Sequence, residues 1–345
     1  MVLPAFYVAA EAARRASGAY DVHVMAEEGE LEEAHRRWMD ARGIQAIGGL
    51  DFSHLRRVVI TNTRLTPATM IRLVMPEILA ERYDRVLYLD ADTEIAGDIG
   101  ALFGLDLGDA AVAAVPAARI AELATPATRR KRERHFRALG MSEPFRYFNS
   151  GVMLIDIARW LEQGIGARAL DFVRANAAIC RLPDEDALNA VLDGRIADLS
   201  PIWNLRSWDM GLPRVTRAIA PVIRHYDGPH KPWKRFARGR RLFSLESPYQ
   251  RYRAFLAATP WRGWLDRQWS LPDLGANLRF ELEYLADRLR GRPTRGVRGR
   301  AELRRQFKVY RRYLREALFV DVGQGIAVVR DGRLMLNPEL GTGGA

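Results

Sequence analysis

The amino-acid sequence predicts an α/β domain with a mostly parallel central sheet flanked by helices, and two observations support this prediction. Short runs that are apolar on both faces recur through the first half of the chain, as in strands covered on both sides by helices. These runs are DVHVMA (21–26), RRVVIT (56–61), RVLYLD (85–90), AAVAAV (110–115) and GVMLID (151–156). Helical patterns separate them, roughly over residues 5–16, 30–42, 67–82 and 158–176. Such alternation is typical of a sheet whose strands run mainly in one direction.

A further helix is predicted at residues 183–193, PDEDALNAVLD, because a proline and acidic side chains suit a first helical turn. After about residue 236 the pattern changes to two apolar stripes with helical spacing, joined by the linker GRPTRGVRGR. The stripes are Leu278/Leu282/Leu285/Leu289 and Leu303/Phe307/Tyr310/Leu314/Leu318. A β-hairpin turning at Asp331-Gly332 follows them. The sequence therefore predicts a first domain at 1–235 and a basic helical extension with a hairpin at 236–345.

Length and composition restrict the class of protein. The 345 residues suffice for one large α/β domain with an extension. No apolar run reaches the ~20 residues that a membrane-spanning helix needs, and no signal peptide is visible, so the expected location is the cytoplasm. With one cysteine, Cys180, an internal disulfide and a cysteine-only zinc cluster are excluded.

Much of the net charge of +11 lies in residues 276–316, which hold 13 Lys or Arg against 5 Asp or Glu. An anionic partner, such as a membrane surface, nucleic acid or phosphorylated glycan, is one interpretation, and solvated charge on exposed helices is the other. The basic residues of the predicted helix 301–318 lie mainly opposite its apolar stripe. They are Arg304, Arg305, Lys308, Arg311, Arg312 and Arg315. Such a helix can lie on the inner face of the plasma membrane, unless its stripe packs on the first domain.

Two aspartates, Asp90 and Asp92, end the buried-looking run RVLYLD and flank Ala91. On an extended chain residues i and i+2 point the same way, so both carboxylates can face one point beyond the strand. In open α/β sheets that edge binds ligands. A hard divalent cation, Mn²⁺ or Mg²⁺, relieves the repulsion between the two carboxylates and normally shares its shell with phosphate oxygens. Aspartate is also common at strand ends, so the pair alone does not decide the question.

The stretch RHYDGPHKPW (224–233) offers complementary groups. His225 can supply a third metal ligand. Gly228 allows a close backbone approach to a ligand, and Lys231 provides a positive charge for a phosphate. The alternative is that His225 caps a strand end and Lys231 is solvated.

Two other stretches suit a sugar. In YFNSG (147–151), Asn149 and Ser150 are neutral donors and acceptors that pair with hydroxyl groups, although an Asx-turn explains them as well. In DEDALN (184–189), the three acids Asp184, Glu185 and Asp186 either favour the helix dipole or point into the cleft to hold a sugar or act at its anomeric carbon.

Five motifs, LYLDAD, FNSG, DEDALN, WNL (203–205) and HYDGPHKPW, occur in this order. Together they resemble family 8 of the retaining glycosyltransferases, which includes bacterial lipopolysaccharide galactosyl- and glucosyltransferases and glycogenin. The resemblance covers about residues 5–235. It implies a GT-A type fold that binds a nucleotide-diphospho-sugar, and activity as a retaining hexosyltransferase.

The resemblance also implies roles for individual residues. The metal, Mn²⁺ or Mg²⁺, is expected on Asp90, Asp92 and His225, against the pyrophosphate of UDP. The nucleotide sugar is expected to contact Arg72, Asp90, Ala91, Asn149, Ser150, Asp184, Gly228 and Lys231. The catalytic residues are expected to be Glu185 and Asp186, Asp186 also binding donor hydroxyls.

The sequence departs from the family at two places. Glu185 stands where many members carry glutamine, so it could be a nucleophile in a double displacement, a stabiliser of an oxocarbenium-like transition state, or a solvent-facing acid. The family's opening strand and acidic loop have no counterpart before VLPAFYVAAEAARR. The first strand is therefore expected to be missing, through a late start or truncation, unless the sheet closes differently.

The expected function is metal-dependent transfer of galactose or glucose from a UDP-sugar to a glycan or lipid-linked acceptor, in bacterial surface polysaccharide or lipopolysaccharide synthesis. Nucleic acid is not an expected partner. Two alternatives are a nucleotidyltransferase with a carboxylate-bound metal and a non-catalytic protein that binds anionic surfaces. A non-catalytic binding protein does not need the set of motifs around Asp90 and His225. A nucleotidyltransferase usually shows a glycine-rich phosphate-binding stretch near its start, and none is visible in this sequence.

Overall fold

The computed structural model describes residues 3–16, 19–50, 67–117, 126–142, 146–210, 213–227, 231–233, 248–268 and 319–341, with scattered positions between 274 and 315. The helices are α1 (Leu3–Ala16), α2 (Glu33–Asp40), α3 (Ile71–Leu79), α4 (Pro126–Ala138), α5 (Ile157–Glu162), α6 (Ile165–Asn176), α7 (Pro183–Leu192), α8 (Ser207–Met210), α9 (Pro213–Ala218) and α10 (Pro248–Ala257), with a short helix at Val320–Gly323. The strands are β1 (Val22–Glu27), β2 (Ile44–Leu50), β3 (Arg85–Leu89), β4 (Thr93–Ile95), β5 (Val112–Pro116), β6 (Phe148–Asp156), β7 (Ala197–Asp198), β8 (Leu205–Arg206), β9 (Ile223–His225), β10 (Ala327–Arg330) and β11 (Arg333–Leu336).

The central sheet has the strand order β3–β6–β5–β7. Three of these strands run in one direction, as predicted, and β6 is reversed between β3 and β5. Strand β6 begins at the edge of the sheet where β5 ends, with Phe148 opposite Pro116. It therefore runs back along β5 in the opposite direction. Apolar runs carry no information on direction, which is why the sequence pattern did not reveal this strand as the exception.

Strand β6 divides the core, as expected of a buried strand with alternating faces. Val152 and Leu154 belong to an apolar cluster with α1, whereas Met153 and Ile155 belong to a cluster with α3, α6 and α7. Both faces of the sheet are thus covered by apolar side chains. The predicted strand RRVVIT lies outside the described residues.

Strands β1 and β2 form a separate parallel pair. In the part of the chain that the structure describes, no ladder joins β1 to β3, and all five residues of β3 stay partly exposed. Whether this sheet has a counterpart of the family's first strand is not decided by these pairings, and its absence remains a prediction.

A small sheet in the order β4–β9–β8 places the ends of two segments side by side, with Thr93 directly opposite His225. These strands have two or three residues each, too few for a period-2 pattern to appear in the sequence. The small sheet positions the site described below.

The C-terminal part packs on the same core. The predicted hairpin is present, with Asp331 and Gly332 both at positive φ, as a two-residue turn of this type requires. Its residue Leu334 bridges to Ile219, and the buried Asp321 accepts hydrogen bonds from Ser200. The domain boundary near residue 236 remains a prediction.

The two apolar stripes of the extension differ in burial. In the second, Tyr310 is buried and Leu314 packs against the main core, as the alternative to membrane binding requires. In the first, Leu278, Leu282 and Leu289 are exposed. Arg304 and Arg305 lie outside the described residues, and membrane association remains a prediction. Across the described residues, none of the helices combines the length and the apolar character that a membrane span requires.

Candidate functional site

A turn at the end of β3 positions the two aspartates. The amide of Asp90 donates to the carbonyl of Gly151 (2.8 Å), and the carbonyl of Asp90 accepts from the amide (3.1 Å) and hydroxyl (2.8 Å) of Thr93. Ala91 lies within this turn and is partly exposed. The turn directs both carboxylates toward His225 on the neighbouring strand β9.

His225 completes a group of three ligand residues. One ligand atom from each of Asp90, Asp92 and His225 lies within 4.8 Å of the others. Nδ1 of the buried imidazole lies 3.0 Å from Oδ1 of Asn204, so Nδ1 donates and Nε2 faces the carboxylates of Asp92 (3.1 Å) and Asp90 (3.6 Å). A histidine that donates from one nitrogen to a second residue presents the other nitrogen to a metal.

In the absence of a metal ion, positively charged side chains stabilise the carboxylate of Asp92 in this group. Burial by itself raises the pKa of Asp92, but His225 and Lys231 outweigh burial and hold that pKa far below its usual value. Burial lowers the pKa of His225, and the neighbouring Asp92 and Asp90 outweigh it, so the pKa is raised overall. Lys231 Nζ contacts Asp92 Oδ2 and donates to the carbonyl of Tyr226 (3.0 Å). The alternative of a solvated Lys231 does not hold.

The residues present fit a divalent cation. Two carboxylates and one imidazole are suitable ligands for Mn²⁺, and carboxylates for Mg²⁺. Gly151 forms the floor of the group: a Cβ on this residue would lie 2.6 Å from Oδ2 of Asp90 and closer still to the ring of His225. The chain thus keeps free of side-chain atoms the space beside the three ligands.

Arg72 connects the metal ligands to the predicted sugar site. Its guanidinium donates to Asp90 Oδ1 (2.7 Å) and Ser150 Oγ (2.7 Å), and its Nε lies 3.0 Å from Asp184 Oδ2. It also lies over the ring of Tyr88, 4.8 Å from the centroid. Burial lowers the pKa of Arg72, but Asp90 and the other anionic neighbours raise it by a larger amount. The pKa is therefore raised overall, and Arg72 stays charged.

The three acids of the first turn of α7 point to different partners. Asp184 pairs with Arg72, and burial raises its pKa despite that pair. Asp186 turns the other way and accepts from the hydroxyl of Tyr147 (2.8 Å) and the amide of Arg181 (2.6 Å), with His135 at 3.3 Å. Only Glu185 remains directed toward Asn149.

A hydrogen-bond chain joins Glu185 to the metal ligands. Asn149 donates to Glu185 Oε2 (2.7 Å) and accepts from the side-chain amide of Asn204 (2.9 Å), which in turn holds His225. Burial raises the pKa of Glu185 to about 7, although Arg206 opposes this rise. The carboxyl is therefore poised between its two protonation states near neutral pH.

The structure brings together the predicted site residues that it describes, except that the carboxylate of Asp186 points away from the group. Gly228 lies outside the described residues. Ser150 and Asp186 are present, but both use their side chains to hold protein groups. Sequence reasoning missed the roles of Asn204 and Gly151, although the motifs WNL and FNSG contain them.

Comparisons with known proteins agree with this geometry. Residues 31–237 match the family described as Glycosyl transferase family 8. The chain belongs to this family.

Relatives from bacteria share moderate identity. General stress protein A of Bacillus subtilis is 26% identical over 217 residues, covering 59% of this chain and 69% of the relative. Lipopolysaccharide 1,2-glucosyltransferase of Escherichia coli is 28% identical, covering 56% and 55%. Lipopolysaccharide 1,3-galactosyltransferase of Salmonella typhimurium is 30% identical, covering 49% and 50%. The chain thus spans about half the length of these two lipopolysaccharide enzymes.

Solved structures show the fold. The galactosyltransferase LgtC superposes with a TM-score of 0.60 at 22% identity, covering 76% of this chain and 96% of LgtC. The bifunctional glycosyltransferase WbbM gives 0.59 at 19% identity, covering 78% and 50%. The predicted GT-A type fold is therefore confirmed.

Mn²⁺ binding is expected to weaken as the pH falls. Because the pKa of His225 is raised, a proton occupies Nε2 below that pKa and must leave before a metal binds there. The apparent dissociation constant should rise about tenfold per pH unit below the pKa and stay level above it. Asp92 stays ionised and adds no slope, since its pKa is lowered.

Calorimetric titration of Mn²⁺ from pH 5 to 8 checks this expectation. The variant His225→Gln should bind more weakly and lose the slope. An affinity independent of pH in the wild-type chain would show that Nε2 is not a ligand.

Proposed function

We propose that this protein is a metal-dependent retaining glycosyltransferase that moves a hexose, galactose or glucose, from a UDP-sugar to a glycan or lipid-linked acceptor in bacterial surface polysaccharide synthesis. The observation that carries the proposal is the continuity of the site. Arg72 touches a metal ligand, Asp90, and a predicted sugar ligand, Asp184, at the same time. Membership of family 8 supports retention of configuration.

The charged residues of the site are proposed to bind the metal ion and the diphosphate. Asp90, Asp92 and His225 hold the cation. When bound, Mn²⁺ or Mg²⁺ neutralises the charge that develops on the diphosphate leaving group. Lys231 reaches the same place and adds a positive charge for a phosphate. Gly228 is proposed to contact the diphosphate with its backbone.

Neutral and acidic groups face the sugar. Asn149 and Asp184 offer hydrogen bonds to donor hydroxyls, and Arg72 fixes the carboxylate of Asp184 in place. Ser150 supports this arrangement by accepting from Arg72.

Of the two predicted catalytic acids, we assign to Glu185 the role of acting at the anomeric carbon of the donor sugar. Its pKa of about 7 leaves a substantial ionised fraction at neutral pH, and the ionised carboxylate can stabilise positive charge at the anomeric carbon or attack it. Asp186 is assigned a positioning role, because its carboxylate is fully buried and holds the backbone at Arg181 and Leu182, which sets the start of α7.

Calorimetric titration of UDP, with Mn²⁺ and with a chelator, tests the proposal. UDP is expected to bind in the presence of Mn²⁺ and to bind far more weakly with the chelator. Release of UDP from UDP-galactose or UDP-glucose should show the same dependence. Binding of equal strength under both conditions would contradict the proposed role of the metal site.

A further inference from the structure

Asn204 lies between the predicted metal ligands and the predicted sugar ligands, in the segment that leads into β8. Its side chain is 1% exposed. Both flanks of this residue are anchored, because the indole of Trp203 donates to the carboxylate of Asp321 (2.9 Å) and β8 begins with the next residue, paired in parallel with β9. The amide of Asn204 is therefore held between β6, which carries Asn149, and β9, which carries His225.

A backbone group decides how the neighbouring amide of Asn149 is oriented. The N–H of Gly151 donates to Asn149 Oδ1 (3.2 Å), and Asn149 Nδ2 donates to Glu185 Oε2 (2.7 Å). The reversed amide would direct its NH₂ group at a backbone N–H and its oxygen at a carboxylate, and both pairs are unfavourable. Glu185 Oε2 also accepts from the backbone N–H of Ser150 (3.2 Å), so two donors hold this oxygen.

The fixed orientation of Asn149 determines that of Asn204 and then that of His225. Because Asn149 Oδ1 can only accept, Asn204 must direct its NH₂ group toward it (2.9 Å). The oxygen of Asn204 then faces Nδ1 of His225 (3.0 Å), which must be the donor. A neutral imidazole carries one N–H, so Nε2 keeps its lone pair for the metal site. The donors and acceptors thus run in one direction from the acid to the metal ligand.

We propose that Asn204 is a positioning residue that links the two halves of the site. It fixes the proton of neutral His225 on Nδ1, and it holds Asn149 in the orientation that presents the NH₂ group to Glu185. The inference rests on the proposed function, because it concerns how the proposed metal and sugar ligands are arranged. Loss of the group that orients a metal-binding histidine typically lowers metal affinity by about 10–100-fold.

The position of the proton on His225 is the first measurement, and it requires neither metal nor donor. NMR of the metal-free chain labelled with ¹⁵N-histidine, at a pH at which the ring is neutral, distinguishes a proton on Nδ1 from one on Nε2. The chain has six histidines, and His225→Gln identifies the signal of His225 by its loss. The proton is expected on Nδ1, and Asn204→Leu should abolish this preference. A proton on Nε2 in the wild-type chain would overturn the inference.

Two variants of Asn204 separate its two links. Asn204→Leu removes both links, and Mn²⁺ should bind about tenfold or more weakly in calorimetry. Asn204→Asp keeps an acceptor for His225 but offers no donor to Asn149. It should keep the proton on Nδ1 and bind Mn²⁺ within about threefold of wild type or more tightly. Its kcat for release of UDP from the UDP-sugar should fall about tenfold, because Asn149 no longer presents its NH₂ group to Glu185.

Asn189→Leu is the matched control for the loss of a buried amide. Asn189 is also 1% exposed, and it donates to the carbonyls of Phe148 (2.9 Å) and Glu185 (2.8 Å). Leucine at this position should lower the unfolding temperature, as Asn204→Leu does. It should leave the proton of His225 on Nδ1 and change the Mn²⁺ affinity less than about threefold.

Three further results would overturn the inference. Equal losses of Mn²⁺ affinity in the two leucine variants would show that the buried amides matter for folding alone. A loss in Asn204→Asp as large as in Asn204→Leu would show that an acceptor for His225 is not what Asn204 supplies. Wild-type turnover by Asn204→Asp would show that the link to Asn149 does not affect the sugar. Failure of the wild-type chain to bind Mn²⁺ and UDP would instead contradict the proposed function, and the NMR measurement would still decide where the proton lies.

Discussion

Replacing Asp92 with asparagine is expected to lower Mn²⁺-dependent sugar transfer by about two to three orders of magnitude while the chain stays folded. Metal stabilisation of developing charge is worth several kcal/mol, and each ~1.4 kcal/mol corresponds to a factor of ten in rate. Asp92 is one of three ligand residues and also the shared partner of His225 and Lys231. Release of UDP from the UDP-sugar, measured across a range of Mn²⁺ concentrations, checks the expectation.

The physical reason for so large an effect is the balance of charge in the site. Without the Asp92 carboxylate, the positive charges of the metal ion, His225 and Lys231 lie close together with one fewer negative charge to offset their repulsion. The asparagine keeps the shape and one oxygen ligand, so the loss reports charge more than volume.

A matched control is Asp98→Asn. Asp98 is exposed, lies three residues after β4, which Asp92 immediately precedes, and accepts from the amide of Gly100 (2.8 Å), a bond that asparagine can also accept. Its activity should stay within about twofold of wild type. Retention of wild-type Mn²⁺-dependent activity by Asp92→Asn would remove Asp92 from the metal site.

The sequence predicted most of the long elements, because each is long enough to show a period, but it did not predict β2, α4 or α10. The strand runs that became β1, β3, β5 and β6 are apolar on both faces, and the helices between them show a 3.6-residue pattern. The short strands β4, β8 and β9 carry no such signal. Yet their pairing places His225 beside Asp92, so the step that builds the site depends on tertiary contacts.

The three acids of α7 illustrate the same limit. Successive residues on a helix point about 100° apart, so the sequence DEDALN shows that Asp184, Glu185 and Asp186 diverge but not which one faces the cleft. Arg72 selects Asp184 and Tyr147 selects Asp186, from distant parts of the chain. Asp186 is therefore turned away from the site, whereas Asp184 and Glu185 stay beside Arg72 and Asn149.

Helix α4 is a further element whose place beside the site the sequence does not reveal. The run RRKRER (129–134) stands out in the sequence. The place of this run beside the site depends on Phe136 and His135 docking α4 onto Tyr147 and Asp186, which no local pattern reveals. Composition identified the basic extension at 276–316 instead, because more charge is concentrated there.

Gly151→Ala is expected to weaken Mn²⁺ and UDP binding by about a hundredfold or more, and to lower the free energy of unfolding by about 1–3 kcal/mol. The added methyl group would overlap the ring of His225 and lie 2.6 Å from Oδ2 of Asp90. Since β6 is a buried strand paired on both sides, its backbone cannot move away at low cost. The ligands must therefore shift, and the three ligand atoms no longer converge.

Gly194→Ala separates this local effect from general destabilisation. Gly194 has φ of 76° and a Cβ there would lie 3.1 Å from the side chain of Arg146, so alanine is strained at a place beyond the end of α7. Both variants should unfold at lower temperature, but only Gly151→Ala should lose Mn²⁺ affinity in calorimetry below its unfolding transition. If both lose affinity in proportion to stability, the glycine matters for folding alone. If Gly151→Ala binds Mn²⁺ and UDP as the wild type does, the metal does not lie between Asp90 and His225, because no space for it would remain beside the new methyl group.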